Sequence, residues 1–181
     1  MTARHLELVD RAEVLVGGTR HLNFFKDRSA EKIRIGADIQ AVCREIAGRL
    51  DRQKIVVLAS GDPLFFGIGS ILAEHLGKDR VRIHPNISSV AAAFARIKEP
   101  WSEASLLSLH GRRPQSDLAA KLAVHDLCAV LTDRNRTPAW LAAWLIRENL
   151  NRFDFCVFEC LGSPGERIRW LAVEEAARET C

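Results

Sequence analysis

Short unbroken apolar runs alternate along this chain with longer segments in which apolar residues recur every three or four positions. Ile55, Val56, Val57 and Leu58 form one such run. It is mostly β-branched, as suits a parallel strand buried on both faces. Just before it, Ile39, Val42, Cys43, Ile46 and Leu50 recur at helical spacing with Arg and Glu opposite, which predicts an amphipathic helix. After the strand, "FGIGSILAEHLG" predicts a helix closed by Gly77. "VRIHP" reads as a short strand, and "NISSVAAAFARIK" as a helix with Asn86, Ser88 and Ser89 as candidate caps. This alternation predicts a parallel sheet with helices on its faces. "KEPWSE" breaks the pattern, so a domain boundary is expected near Pro100. Beyond it, "SLLSLHG" and "DLCAVLTD" read as strands around the helical "QSDLAAKLAVH", and Thr137 caps a helix with Pro138 at its first position. "FDFCVFECLG" and "ERIRWLAV", joined by "GSPGE", predict an antiparallel hairpin. The expected architecture is α/β, with a parallel domain over 1–100 and a mixed-sheet domain over 101–181.

The turn after the first apolar run narrows the chemistry. In parallel sheets ligands bind beyond the carboxyl ends of the strands, where Ser60, Gly61, Asp62 and Pro63 would sit. Gly61 permits close backbone approach and Asp62 supplies a fixed acceptor. The same residues also suit a plain strand-to-helix turn with a carboxylate near a helix N-terminus. The composition, 48% apolar and 27% charged, is that of an ordinary globular protein. A net charge of +3, spread rather than striped, indicates no nucleic-acid partner. No apolar stretch reaches membrane-helix length and no signal-peptide pattern opens the chain. Cys43, Cys128, Cys156, Cys160 and Cys181 form no C-x-x-C pair, so free thiols in a reducing cytoplasm are expected. Cys156 and Cys160 are placed on one face of a strand, and no metal site is expected because further ligands are lacking.

"SGDPLFFG", "PNISSVAAAFARI", "SLHGR", "LTDRNRTP" and "ECLGSPGERI" occur in an order and spacing that resembles the tetrapyrrole methylases. The set is most similar to the branch that methylates precorrin-6Y in cobalamin synthesis. The resemblance implies two α/β domains with S-adenosylmethionine (SAM) held in a cleft between them. It carries cofactor contacts onto Ser60, Gly61, Asp62 and Phe65, onto Ser88 and Ser89, and onto Leu131 and Thr132. Ser88 and Ser89 read equally as plain helix caps from sequence, and Asn86 stands where relatives often have glycine. The family's opening strand and GxGxG-type loop have no counterpart here, so a missing first strand and an incomplete cofactor cradle are expected.

By the same resemblance the reaction is methyl transfer to carbon 5, with carbon 15 as a further site, of a precorrin macrocycle. The polycarboxylate substrate calls for basic side chains. Arg112 lies within a family-like motif, and Arg113, Arg134 and Arg136 lie nearby in sequence. Asp133 and His110, at strand ends, are candidates for a proton-removing base, or else a turn carboxylate and a satisfied histidine. A homodimer and a separate decarboxylating methyltransferase partner are implied by analogy. A same-fold RNA ribose methyltransferase and a non-catalytic fragment are the competing readings.

Overall fold

In the computed structural model, which describes residues 1–109 and 118–179, the chain divides into two compact units, Met1–Ser88 and Ser89–Cys181. In the first unit Thr2 caps helix α1 (Ala3–Asp10), its side chain accepting from the His5 N–H. Strand β1 (Val14–Gly17) follows, then the short helix α2 (Thr19–Asn23) and strand β2 (Glu31–Arg34). Helix α3 (Ile39–Ala47) starts where the Asp38 carboxylate accepts the Ala41 N–H at 2.9 Å. Strand β3 (Ile55–Val57) and helix α4 (Ile68–Leu76) complete the unit. Gly77, at φ +89°, closes α4 in the left-handed region where a Cβ is strained.

The three strands run parallel in the order β2-β1-β3. Val14, Leu15 and Val16 are fully buried, and they alternate between two cores as strand side chains must. Val14 and Val16 pack with Ile33, Val42, Cys43, Ile46 and Leu72 under α3 and α4. Leu15 packs with Val9, Leu22 and Phe25 under α1 and α2. The run Ile55–Val57, expected to be buried on both faces, is instead half-exposed. The cause is position: among the described residues β3 has a ladder neighbour on one side only, and β1 occupies the centre. "VRIHP" forms no strand among the described residues, because a β-prone segment without a pairing partner has no ladder.

In the second unit helix α5 (Ser89–Ile97) precedes strand β4 (Ser105–Ser108), helix α6 (Leu118–Val124) and strand β5 (Cys128–Leu131). Then come α7 (Pro138–Arg147), β6 (Asp154–Glu159), β7 (Arg167–Ala172) and α8 (Val173–Arg178). The division at Ser88 differs from the boundary read near Pro100. Helix α5 groups with the strands and helices C-terminal to it, since Phe94 stacks on Trp101 at 5.8 Å and Arg96 pairs with Glu166. β4 and β5 are parallel, while β6 and β7 form the expected antiparallel hairpin. The mixed sheet is corrected to separate ladders among the described residues, because no hydrogen-bonded pairing links the two strand pairs. Leu107, Leu109, Leu118, Leu122, Leu141, Leu145 and Val173 build one core, with Phe155 and Leu171 of the hairpin against it. Thr137 caps α7 as expected, accepting from the Trp140 N–H at 3.2 Å, with Pro138 at its start. Arg152 caps α6 from a distance, donating to the carbonyls of Leu122, Ala123 and His125.

Cys160 lies beyond the end of β6 at φ +51° and is exposed, so it does not share a strand face with Cys156. That turn carries a clamp. Glu166 accepts from Arg96 Nε at 2.7 Å and from the Gly162 N–H at 2.6 Å. No helix among the described residues is long and apolar enough to cross a membrane.

The Arg96 hydrogen bond, and then the Gly162 N–H, hold the Glu166 carboxyl below its ordinary value of 4.5. A depressed folded-state pKa stabilises the fold above the unfolded value, and this is lost as pH falls through the folded one. Wild type should therefore lose stability more steeply than Glu166→Gln as pH falls below about 4.5. Urea midpoints measured across that window test this, and parallel acid limbs for the two proteins would refute it.

Candidate functional site

The carboxyl ends of β1 and β3 lie side by side. Val16 pairs with Val57, and the Leu58 N–H donates to the Val16 carbonyl at 2.7 Å. Gly17 leaves room for this approach, since a Cβ there would sit 3.2 Å from Leu58 Cβ. β1 then runs through Gly18 into α2, which places His21 over the edge. β3 runs through Ala59 into Ser60-Gly61-Asp62. The two turns meet where His21 Nε2 lies 2.8 Å from Ser60 Oγ. His21 is half-buried and Ser60 exposed. Burial, and then the charge of neighbouring Arg20, lower the His21 pKa below its ordinary value of 6.5.

Gly61 makes the close approach expected of it, toward the 86–88 segment. Its φ is +58°, and a Cβ would stand 3.0 Å from Ser88 Cα and 3.3 Å from the Ile87 carbonyl oxygen. The Asn86 N–H donates to the Gly61 carbonyl at 3.1 Å. The structure thus brings Ser60, Gly61 and Asp62 together with Ser88. Asn86 is not in the left-handed region; its own side chain accepts the Ile87 N–H at 2.9 Å. Asp62 Oδ1 accepts the Leu64 N–H at 2.8 Å, and its carbonyl accepts the Phe65 N–H. The Asp62 carboxylate therefore shapes its own turn through one oxygen. Phe65 meets Phe66 edge-on at 4.7 Å, with Phe66 at φ +52°. The turn closes as the Pro63 carbonyl accepts the Gly69 N–H at 2.8 Å.

In the second unit Ser89 opens α5 and is exposed, and Leu131 and Thr132 stand at the end of β5, half-buried. The turn after them is closed on itself. Asp133 Oδ1 accepts the N–H groups of Asn135 at 2.9 Å and Arg136 at 2.7 Å. The Arg136 guanidinium donates to the Leu109 carbonyl, so it is tied to the backbone. This geometry favours the turn-carboxylate reading of Asp133. Arg134 is exposed. His110, Arg112 and Arg113 lie outside the described residues. Among the described residues no group of three or more His, Cys, Asp or Glu is placed to hold a metal ion. Burial raises the pKa of the Cys43, Cys128 and Cys156 thiols above the ordinary value.

Sequence reasoning passed over His21. Its signal was the "VGGTRHL" stretch, a strand followed by two glycines and a helix, which repeats in kind the strand-glycine-helix pattern after β3.

Helix-flanked parallel strands whose glycine turns gather polar groups at one sheet edge are the α/β arrangement in which ligands bind beyond the carboxyl ends of the strands. The family model for tetrapyrrole (corrin/porphyrin) methylases matches residues 1–177, and this chain belongs to that family. A Salmonella typhimurium protein named cobalt-precorrin-7 C(5)-methyltransferase is 40% identical over 173 residues, covering 96% of this chain and 84% of its own. The crystal structure of a precorrin-6Y methylase from Archaeoglobus fulgidus superposes with a TM-score of 0.70 at 26% identity, over 96% of this chain and 83% of that one. A uroporphyrin-III C-methyltransferase from Thermus thermophilus, solved with S-adenosylhomocysteine, shares the fold at 23% identity and a TM-score of 0.74, over 98% and 84% of the two chains.

The Pro63 carbonyl leaves no space for side chains on the turn behind it. A Cβ at Gly69 would lie 2.7 Å from that oxygen, and one at Gly67 2.5 Å from it. Gly69→Ala should destabilise the protein by about 1–3 kcal/mol, the usual cost of overpacking against backbone. Gly48→Ala, where the nearest atom is 3.7 Å away, serves as the control and should change little. Denaturant midpoints that shift equally for both would show that the Pro63 turn is not the constraint.

Proposed function

We propose that this chain is a SAM-dependent C-methyltransferase that methylates a precorrin macrocycle at carbon 5 in cobalamin biosynthesis. The observation that carries this reading is the 40% identity, over nearly the whole chain, to a protein named for C(5) methylation of cobalt-precorrin-7. Methylation at carbon 15 with decarboxylation then falls to a separate protein, and a homodimer is the assembly we favour by analogy. The scattered charge, net +3, argues against an RNA substrate.

The donor set suits the cofactor. Ser60 offers an exposed hydroxyl, and the second carboxylate oxygen of Asp62 takes no hydrogen bond among the described residues. An acceptor of this kind fits ribose hydroxyls or an ammonium group. Ser60, Gly61, Asp62, Phe65, Ser88, Ser89, Leu131 and Thr132 are the residues assigned to SAM. When bound, SAM supplies an electrophilic methyl group on sulfur. The nucleophile is an electron-rich carbon of the substrate, so the chain need not supply one of its own. Its residues align the reacting atoms and exclude water. Arg112 would bind a substrate carboxylate.

Asp62→Asn separates charge from shape, because an asparagine Oδ1 can still accept the Leu64 N–H. It should weaken S-adenosylhomocysteine binding while leaving the melting temperature unchanged. Wild-type affinity, or a much lower melting temperature, would make Asp62 purely structural. The activity itself is tested by transfer of labelled methyl from SAM to the corrinoid. In that assay Arg112→Ala should raise the corrinoid KM about 10- to 100-fold, the loss of one charge-assisted hydrogen bond, with SAM affinity unchanged. Equal loss for both ligands would exclude the substrate role.

A further inference from the structure

We propose that His21 is a positioning residue that fixes the Ser60 hydroxyl for cofactor binding, an inference that rests on the SAM-dependent reading above. A serine hydroxyl at a strand end turns freely and serves as donor or acceptor. Here Nε2 of His21 lies 2.8 Å from Oγ and removes that freedom. If Nε2 accepts the hydroxyl proton, the Ser60 oxygen faces outward as an acceptor. If Nε2 donates, the hydroxyl proton faces outward instead. Either way the hydroxyl is oriented before a ligand arrives, which lowers the ordering cost of binding.

Three observations converge on this pair. It joins the carboxyl ends of two parallel strands, whose backbones are locked by the Leu58 to Val16 hydrogen bond. The ring is half-buried while its partner oxygen is on an exposed residue, so the histidine supports and the serine presents. Burial, and then Arg20, lower the imidazole pKa and so favour the neutral ring, in which either role at Nε2 is open.

The test is calorimetric titration of S-adenosylhomocysteine into wild type, His21→Ala, Ser60→Ala and the double variant, with melting temperatures recorded for each. His21→Ala should raise Kd about 3- to 10-fold, the range for one neutral hydrogen bond. The double variant should be no weaker than Ser60→Ala alone, because one acts through the other. His21→Gln, whose amide reaches the position of Nε2, should restore binding, while His21→Asn should not. If alanine at 21 prevents folding, the comparison of Gln with Asn carries the test: equal affinities overturn the proposal. Wild-type affinity in His21→Ala, or additive effects in the double variant, also overturn it. If wild type itself binds no S-adenosylhomocysteine, the SAM-dependent reading falls, and this inference with it. Wild-type binding with indifferent variants removes only the role of His21.

Discussion

Strand β1 has no solvent-facing side. Val14, Leu15 and Val16 are completely buried, with β2 on one edge, β3 on the other and a helical core against each face. Each such side chain stabilises the fold by about 1.5–3 kcal/mol. A strand enclosed in this way leaves its polar chemistry only one place to go, the loops beyond its ends. Because all three strands are parallel, their carboxyl ends emerge at the same edge. The meeting of His21 with Ser60 is a consequence of that single constraint, although the residues are far apart in sequence.

What holds the edge in shape is backbone against backbone. Gly61 lies against Ser88 and Ile87, and Gly67 and Gly69 lie against the Pro63 carbonyl. None of these contacts would survive a side chain at the glycine. The glycines that first suggested a ligand approaching the backbone are therefore accounted for by neighbouring chain. The presented groups are the ones beside them: the Ser60 hydroxyl and one oxygen of Asp62. At the end of β5 in the second unit a side chain does this work instead: Asp133 accepts two amides of its own turn.

Features set by local chemistry were readable in advance. Gly77 closing α4, Thr137 with Pro138 opening α7, and the tight "GSPGE" connection all depend on residues within a few positions of each other. Features set by pairing were not. Ile55–Val57 is more uniformly apolar than its sheet position requires, and which strand takes the centre depends on segments distant in sequence. "VRIHP" has strand composition but no strand beside it among the described residues. The family resemblance located Ser60, Gly61, Asp62 and Ser88 as a group, whereas His21 shows its place only when β1 and β3 are laid side by side.

The use of the carboxylates bears on the chemistry. Asp133 has an oxygen committed to two backbone N–H groups, and Asp62 has one committed to the Leu64 N–H. These oxygens shape their own turns, and the other oxygen of Asp62 is the one presented outward. A reaction begun by proton removal would need a strong protein base. Methyl transfer to an electron-rich substrate carbon makes no such demand, since the bond-forming electrons come from the macrocycle. His21 Nε2 is likewise engaged, with Ser60 Oγ. The described polar groups at both strand ends are thus arranged to hold and orient, which is the work this chemistry leaves to the protein.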